Sequence, residues 1–387
     1  MKFQEEQYLL LPGPTPVPTN VLRSMAKPMI NHRGPEFREL IAEVTEGVKK
    51  VYKTKNDVII FPAAGTGAME AAVVNFISPG DKVLAISIGV FGDRFAKIAE
   101  EFGAEVDRLE FPWGQAADAE VVREKIAQDR GKFIKAVLVT HNETSTGVVN
   151  DIRAIREAIG DHPALFIVDA VSGLGAMNLE TDQWNLDVVV SGSQKAFMIP
   201  PGLSFLAISP RAMKISKNCT NRRYYWDIGS ALKYLEKGQT PYTPAISLFY
   251  GLKEALTMME SEGIDNVIAR HAVYRDMVRS GVKALGLELL ADDSVASSSL
   301  TAVVAPEGIG ANRIRRRMSE RFNVVIAGGQ QKLDDVIFRI GHLGHVPYLD
   351  LLAVLAALEM VLVELGIEVE LGRGVRKAQE IMVQRGV

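Results

Sequence analysis

The segment Leu165-Phe166-Ile167-Val168-Asp169 decides the fold prediction, because four consecutive apolar residues lead directly to a carboxylate. A run that is apolar on both strand faces is typical of a parallel sheet covered by helices on both sides. The next apolar run, Leu186–Val190, is followed at once by Ser191-Gly192-Ser193-Gln194-Lys195. The interval between Asp169 and Lys195 accommodates one connection and a second strand, so we predict that both side chains face one crevice.

On both sides of this segment, from Val58 to Ile208, short apolar runs alternate with helical patterns. Further strands are predicted at Val58–Phe61, Val83–Ile88, Ala104–Leu109, Ala136–Thr140 and Leu203–Ile208. Helices are predicted at Gly67–Ile77, Gly92–Phe102, Ala119–Gln128 and Ile152–Ile159. The alternation predicts a large, doubly wound α/β domain with a mostly parallel sheet.

The pattern changes after Pro244, where long helical stretches are followed by short strands and further helices. The predicted strands lie near Leu287–Leu290, Thr301–Val304, Val324–Ile326 and Val336–Ile340. We predict a large domain over residues 21–260 and a smaller C-terminal α+β domain over 261–387. Residues 1–20 contain four prolines within seven positions, which predicts an extended segment that lines the cleft.

The composition is that of an ordinary globular protein: 47% of the 387 residues are hydrophobic, 24% are charged, and the formal net charge is -3. This balance does not favour a nucleic-acid partner. Met1–Tyr8 lacks the apolar core of a secretory signal, and no apolar run reaches the ~18–20 residues that cross a bilayer. The one cysteine, Cys219, excludes an intrachain disulfide. We therefore expect a cytoplasmic protein with no membrane partner.

Two of the predicted strands end in residues suited to binding a planar, phosphorylated ligand. Gly65-Thr66-Gly67 follows the first strand and opens a helix, where backbone N–H groups favour a phosphate. An ordinary strand–turn–helix junction would look the same, and Glu70 stands where a dinucleotide fingerprint needs its third glycine. Phe91 follows the second strand and could either stack on a planar ring or pack in the core.

The remaining polar residues complete the set. The stretch His141–Gly147 has six consecutive polar residues followed by glycine, yet no second ligand cluster has matching spacing, so we predict no metal. Asp169 needs a partner in a buried position, either a structural one or a protonated heteroaromatic nitrogen. Lys195 could be a surface lysine, but its flank Phe197–Pro201 is apolar. Phosphate cradle, ring stacker, carboxylate and lysine together predict pyridoxal 5'-phosphate, with Lys195 as its imine partner and Asp169 keeping its pyridine nitrogen protonated.

At this point the chain resembles the class V aminotransferases of the fold type I pyridoxal-phosphate superfamily. It is most similar to the alanine–glyoxylate and serine–pyruvate (serine–glyoxylate) aminotransferases. The resemblance extends over nearly the whole chain and is most specific at four stretches: His141–Gly147, Val168–Ser172, Ser191–Ala196 and Phe338–Gly341.

The resemblance implies a role for each matching residue. Lys195 would carry the cofactor and then move the Cα proton, and Asp169 would pair with the pyridine N–H. Gln194 and Thr144 would contact the ring substituents. The remaining cofactor contacts would come from Gly65 and Thr66 at the phosphate, Phe91 on one ring face in place of the family's tryptophan, and Val171 on the other face. Ala64 departs from the hydroxyl residue common at its position, which puts one phosphate contact in doubt.

The resemblance also implies how substrates and subunits meet. Arg339 matches the residue that binds the substrate carboxylate, with a structural ion pair as the alternative. The segment Gln239–Pro244 resembles one that reaches the neighbouring subunit's phosphate, through Thr243 and also Tyr242. We therefore expect an obligate homodimer with shared active sites.

The expected reaction is ping-pong transamination between a small amino acid, alanine or serine, and a 2-oxo acid, glyoxylate or pyruvate. Aspartate remains an alternative donor if His32 or Arg33 binds its side-chain carboxylate, whereas Arg33 could instead pair with Glu36 or a backbone carbonyl. A catalytically silent cofactor-binding subunit is a second alternative. A cysteine desulfurase would need Cys219 in a mobile loop, and a nicotinamide-dependent dehydrogenase would need the missing glycine.

Overall fold

The computed structural model describes residues 7–386. Its strands, in chain order, are β1 (Tyr8–Leu10), β2 (Asp57–Phe61), β3 (Lys82–Ser87), β4 (Glu105–Glu110), β5 (Ile134–Thr140), β6 (Asn142–Glu143), β7 (Val148–Val149), β8 (Leu165–Asp169), β9 (Val188–Gly192), β10 (Ser204–Ile208), β11 (Leu300–Val304), β12 (Val324–Gly328) and β13 (Ile337–Gly341).

The helices, in chain order, are α1 (Thr19–Met25), α2 (Pro35–Tyr52), α3 (Gly65–Phe76), α4 (Val90–Glu101), α5 (Ala119–Gln128), α6 (Ile152–Ile159), α7 (Pro210–Ser216), α8 (Ile228–Leu235), α9 (Ile246–Glu262), α10 (Ile264–Ala284), α11 (Ala311–Phe322), α12 (Tyr348–Glu364) and α13 (Arg373–Arg385). Short 3₁₀ turns occur at Asp293–Val295 and Gln331–Leu333.

The large sheet has seven strands in the order β2-β10-β9-β8-β5-β3-β4. Strands β9, β8, β5, β3 and β4 run parallel, and β10 runs antiparallel to both of its neighbours. Along β8, Phe166 and Val168 belong to the core on one face, while Leu165 and Ile167 belong to the core on the other. The predicted α/β fold with a mostly parallel, doubly covered sheet is therefore confirmed.

The smaller sheet has four strands in the order β1-β12-β13-β11. Its core includes Leu10 and apolar side chains of α10, α11 and α12. The predicted strand at Leu287–Leu290 does not form, and only an isolated bridge joins Leu289 to Val303. The pairing stops there because the chain turns into the 3₁₀ turn at Asp293–Val295 a few residues later.

The N-terminal segment links the two sheets. Strand β1 pairs in parallel with β12 of the small sheet, and a few residues later the Thr15 N–H donates to the Gln194 carbonyl beyond β9. The segment thus crosses from the small sheet to the carboxyl edge of the large one. The domain limits at 20/21 and 260/261 stay predictions. No helix within residues 7–386 is both long and apolar enough to span a bilayer.

Replacing Leu10 by alanine tests how firmly this crossing segment is anchored. Leu10 is buried in the small-sheet core, whereas Leu9 points to the other strand face and is only half-buried. We expect Leu10→Ala to lower the free energy of unfolding by about 2–4 kcal/mol, because it removes buried methyl groups and leaves a cavity. Denaturant unfolding should show a smaller loss for Leu9→Ala, and equal losses would contradict the anchoring.

Candidate active site

Asp169 and Lys195 meet at the carboxyl edge of two adjacent parallel strands. Asp169 is the last residue of β8, where it pairs in register with Val190 of β9, and Lys195 lies three residues beyond the end of β9. Both side chains are buried, with exposed fractions of 2% and 9%. Desolvation raises the pKa of Asp169 to about 6 and lowers the pKa of Lys195 to about 8, while the opposite charge of each partner resists both shifts.

The N-terminal segment covers the lysine. Lys195 Nζ donates a hydrogen bond of 2.7 Å to the Pro12 carbonyl, and Thr15 Oγ1 donates to the Lys195 carbonyl at 3.1 Å. Gly13 has a φ of +121°, and a Cβ there would lie 2.6 to 2.8 Å from three side-chain atoms of Lys195. Only glycine fits between the segment and the amine, so the sequence Pro12-Gly13 shapes the lysine's surroundings.

The Asp169 carboxylate has a fixed orientation. Its Oδ1 accepts a hydrogen bond from the Val171 N–H at 2.9 Å, and its Oδ2 accepts a longer one from Thr140 Oγ1 at 3.4 Å. The positive charges of Lys195 and Arg94 both lower the pKa of this carboxyl, against the larger effect of burial. Among residues 7–386 the carboxylate therefore accepts one short and one long hydrogen bond, which leaves it able to accept from a stronger donor.

The predicted phosphate loop lies directly beside these residues. Helix α3 starts at Gly65, and its N-cap residue Ala64 provides no side-chain cap, so helix N–H groups remain available to an anion. A Cβ on Gly65 would lie 2.6 Å from Val171 Cγ2, and one on Gly192 would lie 3.1 Å from the Gly65 nitrogen. The glycine loop, Val171 and the end of β9 therefore pack too closely for any larger residue.

Thr144 and Arg339 form the other side of the crevice. Arg339, on β13 of the small sheet, donates from Nη1 to the Thr144 carbonyl at 2.7 Å and from Nε to the Gly328 carbonyl at 2.8 Å. Thr144 Oγ1 lies 2.7 Å from Ser172 Oγ. Burial lowers the pKa of Arg339 to about 10, which leaves it a cation at neutral pH. Its Nη2 has no hydrogen-bond partner among residues 7–386.

Phe91 stands in the first turn of α4, and two charged residues to which the sequence analysis assigned no role accompany it. Arg94 places its guanidinium carbon 4.6 Å from the centre of the Phe91 ring. Glu143, which is fully buried, accepts the Phe91 N–H at 3.0 Å. The spacing of Phe91 and Arg94, three residues apart in a helix, was a signal that could have found Arg94.

Tyr242 and Thr243 are not brought to Lys195 within one chain. The Tyr242 ring stacks on Tyr225 with centroids 5.1 Å apart, and Tyr225 contacts Trp226 edge to face. A Cβ on Gly67 would lie 2.9 Å from the Trp226 ring, so this aromatic series ends at the glycine loop. Thr243 itself is exposed to solvent. Its predicted contact with a neighbouring subunit's phosphate stays a prediction.

Arg33 is engaged within its own chain. Its guanidinium donates to the Thr240 carbonyl at 2.7 Å, to the Pro241 carbonyl at 3.2 Å and to Gln239 Oε1 at 3.0 Å. The sequence analysis left open whether Arg33 binds a substrate carboxylate or pairs with Glu36 or a backbone carbonyl, and the structure shows it paired with backbone carbonyls. Arg33 therefore fixes the segment that carries Tyr242 and Thr243.

Cys219 lies far from Lys195. Its Sγ donates at 3.4 Å to the carbonyls of Val74 and Ile77, at the last turn of α3. The crevice is at the first turn of that helix, and 12 residues span ~18 Å. This position does not suit the catalytic cysteine of a desulfurase. Within residues 7–386 no group of three or more His, Cys, Asp or Glu side chains could hold a metal ion.

The crevice fits pyridoxal phosphate on four structural grounds. A buried amine and a buried carboxylate face one space, and the uncapped start of α3 offers N–H groups to a phosphate. The buried Gln194 Oε1 has no hydrogen-bond partner among the described residues and so suits a hydroxyl on a bound ring. The cofactor could thus be held by Lys195, Asp169, Gln194 and the loop at Gly65.

Comparison with known proteins adds independent information. The family model described as aminotransferase class-V matches residues 7–332. A protein of a Synechococcus strain named soluble hydrogenase, small subunit, is 47% identical over 94% of this chain and 95% of its own. The L-aspartate–glyoxylate aminotransferase of Paracoccus denitrificans is 40% identical over 96% of this chain and 95% of its own. The crystal structure of alanine–glyoxylate aminotransferase from Nostoc has a TM-score of 0.88 and 29% identity, covering 94% of this chain and 97% of that one.

The protonation of Lys195 is directly measurable. We expect the rate at which dinitrofluorobenzene labels Lys195 in the ligand-free chain to rise with a midpoint near pH 8, because desolvation lowers the pKa of the amine to about 8. Asp169→Asn should shift the midpoint down and Arg94→Gln should shift it up, since the carboxylate favours the ammonium form and the guanidinium opposes it. Mass spectrometry of the labelled peptide gives the profile, and a midpoint like that of an exposed lysine would refute the desolvated site.

Proposed function

The chain belongs to the class-V aminotransferases, and members of this family with this fold use pyridoxal phosphate. We propose that it transfers the amino group of alanine or serine to glyoxylate or pyruvate. The observation that carries the proposal is the burial of Lys195 and Asp169 in one crevice beside the uncapped start of α3. An amine, a carboxylate and a phosphate cradle in that arrangement match the three ends of the cofactor.

Lys195 has two proposed tasks. Its Nζ would hold the cofactor covalently at the aldehyde carbon and, once displaced by the substrate's amino group, would carry the proton that leaves the substrate's Cα. When bound, pyridoxal phosphate supplies an electron-accepting ring that stabilises negative charge at that carbon. A pKa of about 8 supports the proton-transfer role, because a base works best when its pKa is near the working pH. The Pro12 carbonyl orients the amine through the 2.7 Å hydrogen bond.

Asp169 would keep the proton on the ring nitrogen. Val171 and Thr140 fix its carboxylate, and a pKa of about 6 leaves it ionised at neutral pH. A cationic N–H donor in the crevice would lower that pKa further, because an opposite charge favours the ionised form. The buried carboxylate therefore has a functional partner that compensates its desolvation.

The other cofactor contacts follow from their positions around Asp169. We assign the phosphate to the N–H groups at Gly65 and Thr66, because the helix start is uncapped there. Phe91 and Val171 would pack on opposite ring faces. Gln194 and Thr144 would contact ring substituents, and the unpartnered Gln194 Oε1 supports this assignment.

Arg339 would bind the substrate's α-carboxylate. Two of its nitrogens are already fixed by the Thr144 and Gly328 carbonyls, which holds the guanidinium in one orientation. The remaining nitrogen, Nη2, is available to a carboxylate, and the group stays charged at neutral pH. The arginine is therefore preorganised by the protein before a substrate arrives.

We also propose a homodimer with shared active sites. Thr243 is exposed, and the segment on which it lies is held by Arg33 and by the stack of Tyr242 on Tyr225. A rigid, outward-facing segment of this kind suits a contact with the phosphate in a second copy of the chain. Thr243 would provide the contact, and Tyr242 would support it.

The relative named as a hydrogenase subunit supports the alternative of a catalytically silent subunit. Against it stand the three groups that the chemistry needs. Lys195, Asp169 and Arg339 are all present and buried, and the charges of Asp169 and Arg339 both act on the Lys195 amine. A chain that only bound the cofactor would not need a buried arginine with an available nitrogen.

Aspartate is a second candidate donor, and a specific observation favours it. With Arg33 occupied by the 239–241 segment, Arg94 joins His32 as a candidate for the second cation. Arg94 forms no hydrogen bond or ion pair with any residue in 7–386, and its charge acts on both Asp169 and Lys195. A relative at 40% identity is named an L-aspartate–glyoxylate aminotransferase.

Replacing Lys195 by alanine tests the main proposal. We expect turnover of alanine with glyoxylate to fall by at least about 10²-fold, because the proton-transferring amine is lost. Borohydride reduction followed by mass spectrometry should attach the cofactor to Lys195 in the wild-type chain and nowhere in the variant. Lys97→Ala, at an exposed position on α4, should behave like the wild type. No turnover by the wild-type chain with any amino donor would instead favour the silent subunit.

Arg94 and Arg33 separate the two donor classes. If aspartate is a substrate, Arg94→Ala should lower kcat/KM for aspartate by about 10- to 100-fold more than kcat/KM for alanine, because only aspartate has a second carboxylate. The effect of Arg94 on the pKa of Lys195 applies to both donors and cancels in this ratio. Arg33→Ala should affect both donors alike, since it loosens the 239–241 segment. A selective loss of aspartate in Arg33→Ala would restore the assignment of the side-chain carboxylate to His32 and Arg33.

A further inference from the structure

Glu143 is a buried carboxylate that the proposed chemistry does not use. It lies on β6, and its side chain is completely shielded from solvent. Its oxygens accept hydrogen bonds from the N–H groups of Phe91 at 3.0 Å, Gly92 at 3.1 Å and Ser145 at 3.1 Å, and from Ser145 Oγ at 2.5 Å. The three backbone N–H groups can only donate, so they favour the ionised carboxylate, whereas burial acts against it and raises the pKa of Glu143 to about 7.

The first contact of Glu143 is with the start of helix α4. That helix has no side-chain cap from its own N-cap residue, Gly89. Glu143 on β6 caps the helix instead, because its carboxylate accepts hydrogen bonds from the Phe91 and Gly92 N–H groups in the first turn. A Cβ on Gly89 would lie 2.6 Å from the Glu143 side chain, so the helix start and the carboxylate are in direct contact. The position of Phe91 is therefore set by Glu143.

The second contact is with the turn that holds Arg339. Glu143 binds both the N–H and the hydroxyl of Ser145, and its own carbonyl accepts the Gly147 N–H at 2.9 Å. Thr144, enclosed by this turn, presents its carbonyl to Arg339 Nη1 at 2.7 Å. The orientation of the guanidinium thus depends on a turn that Glu143 closes.

We propose that Glu143 is a positioning residue that couples the ring-facing Phe91 to the carboxylate-binding Arg339. One carboxylate group fixes both elements, so a displacement of either the α4 start or the 143–147 turn moves the other. The inference rests on the proposed functions of Phe91 and Arg339 and adds a third residue that sets their separation. Ser145 belongs to the same device, since its hydroxyl also accepts the Val90 N–H at 3.1 Å.

The test uses Glu143→Gln with a matched control elsewhere in the fold. Glu359 on α12 is also a buried carboxylate that caps a helix, through the N–H groups of Gly372, Gly374 and Val375 at the start of α13. Glu359→Gln therefore reproduces the loss of a buried, helix-capping charge in the small-sheet core. Both variants are isosteric, so both are expected to lower the melting temperature.

The expected result is specific to position 143. In the holoenzyme, Glu143→Gln should weaken the visible circular dichroism of the bound cofactor, raise the Kd for pyridoxal phosphate and raise KM for the amino donor. We expect Kd and KM each to rise about 10- to 100-fold, because the variant loses charge-assisted hydrogen bonds. Glu359→Gln should leave all three unchanged. For comparison, Phe91→Leu should change mainly the cofactor readouts, and Arg339→Lys mainly KM.

Four outcomes would overturn the inference. The first is a Glu143→Gln variant that alters only the cofactor readouts or only KM, because coupling requires both. The second is equal behaviour of the Glu143 and Glu359 variants. If Glu143→Gln does not fold, Ser145→Ala provides the test, because it removes the shortest hydrogen bond to the carboxylate and should change the same readouts by a smaller factor. The third overturning outcome is a Ser145→Ala variant in which none of these readouts changes. A wild-type chain that binds no cofactor would overturn the proposed function and this inference with it, whereas the other outcomes leave that function standing.

Discussion

The burial of two opposite charges at one edge of the large sheet is the constraint on which the site depends. Strands β8 and β9 run parallel, and the last residue of β8 lies beside Val190 near the end of β9, so Asp169 and Lys195 are delivered to the same dehydrated space. Desolvation moves both pKa values towards neutrality, to about 6 and about 8. A buried pair of this kind is weak support for stability, because removing each charge from water is costly. Its presence is understandable if a ligand with complementary groups completes it.

The rest of the site shields and supports that pair. The N-terminal segment leaves the small sheet and places the Pro12 carbonyl on the lysine. From the same sheet, the loop after β13 brings Gly344 so close to the Lys195 carbonyl that a Cβ would lie 3.3 Å away, and His271 accepts the Gly344 N–H at 2.9 Å. Both sheets therefore determine the surroundings of one amine, and the crevice exists only where they meet.

Much of this organisation could be predicted from the sequence because it depends on local patterns. Apolar runs ending in polar residues located the strands, and the order of those residues indicated the cofactor. The helix α2 went unrecognised, although its apolar residues recur at helical spacing, as at Phe37, Leu40, Ile41, Val44 and Val48. Contacts between distant residues, such as Gly13 with Lys195 or Glu143 with Phe91, could not be predicted, because neither partner has a local pattern that identifies the other.

The role of Arg33 also could not be predicted, because it depends on contacts with residues far away in the sequence. A guanidinium in a polar segment indicates an anion site, but the sequence does not reveal whether backbone carbonyls already occupy its donors. In the structure the Arg33 guanidinium donates to carbonyls of the 239–241 segment, and Arg94 lies beside the ring of Phe91. The positive charge near the crevice is thus provided by a helix packed on the large sheet and by Arg339 of the small sheet. Since the two cations come from different sheets, a ligand with two anionic groups would be held across the cleft between them, whereas a single carboxylate would need only Arg339.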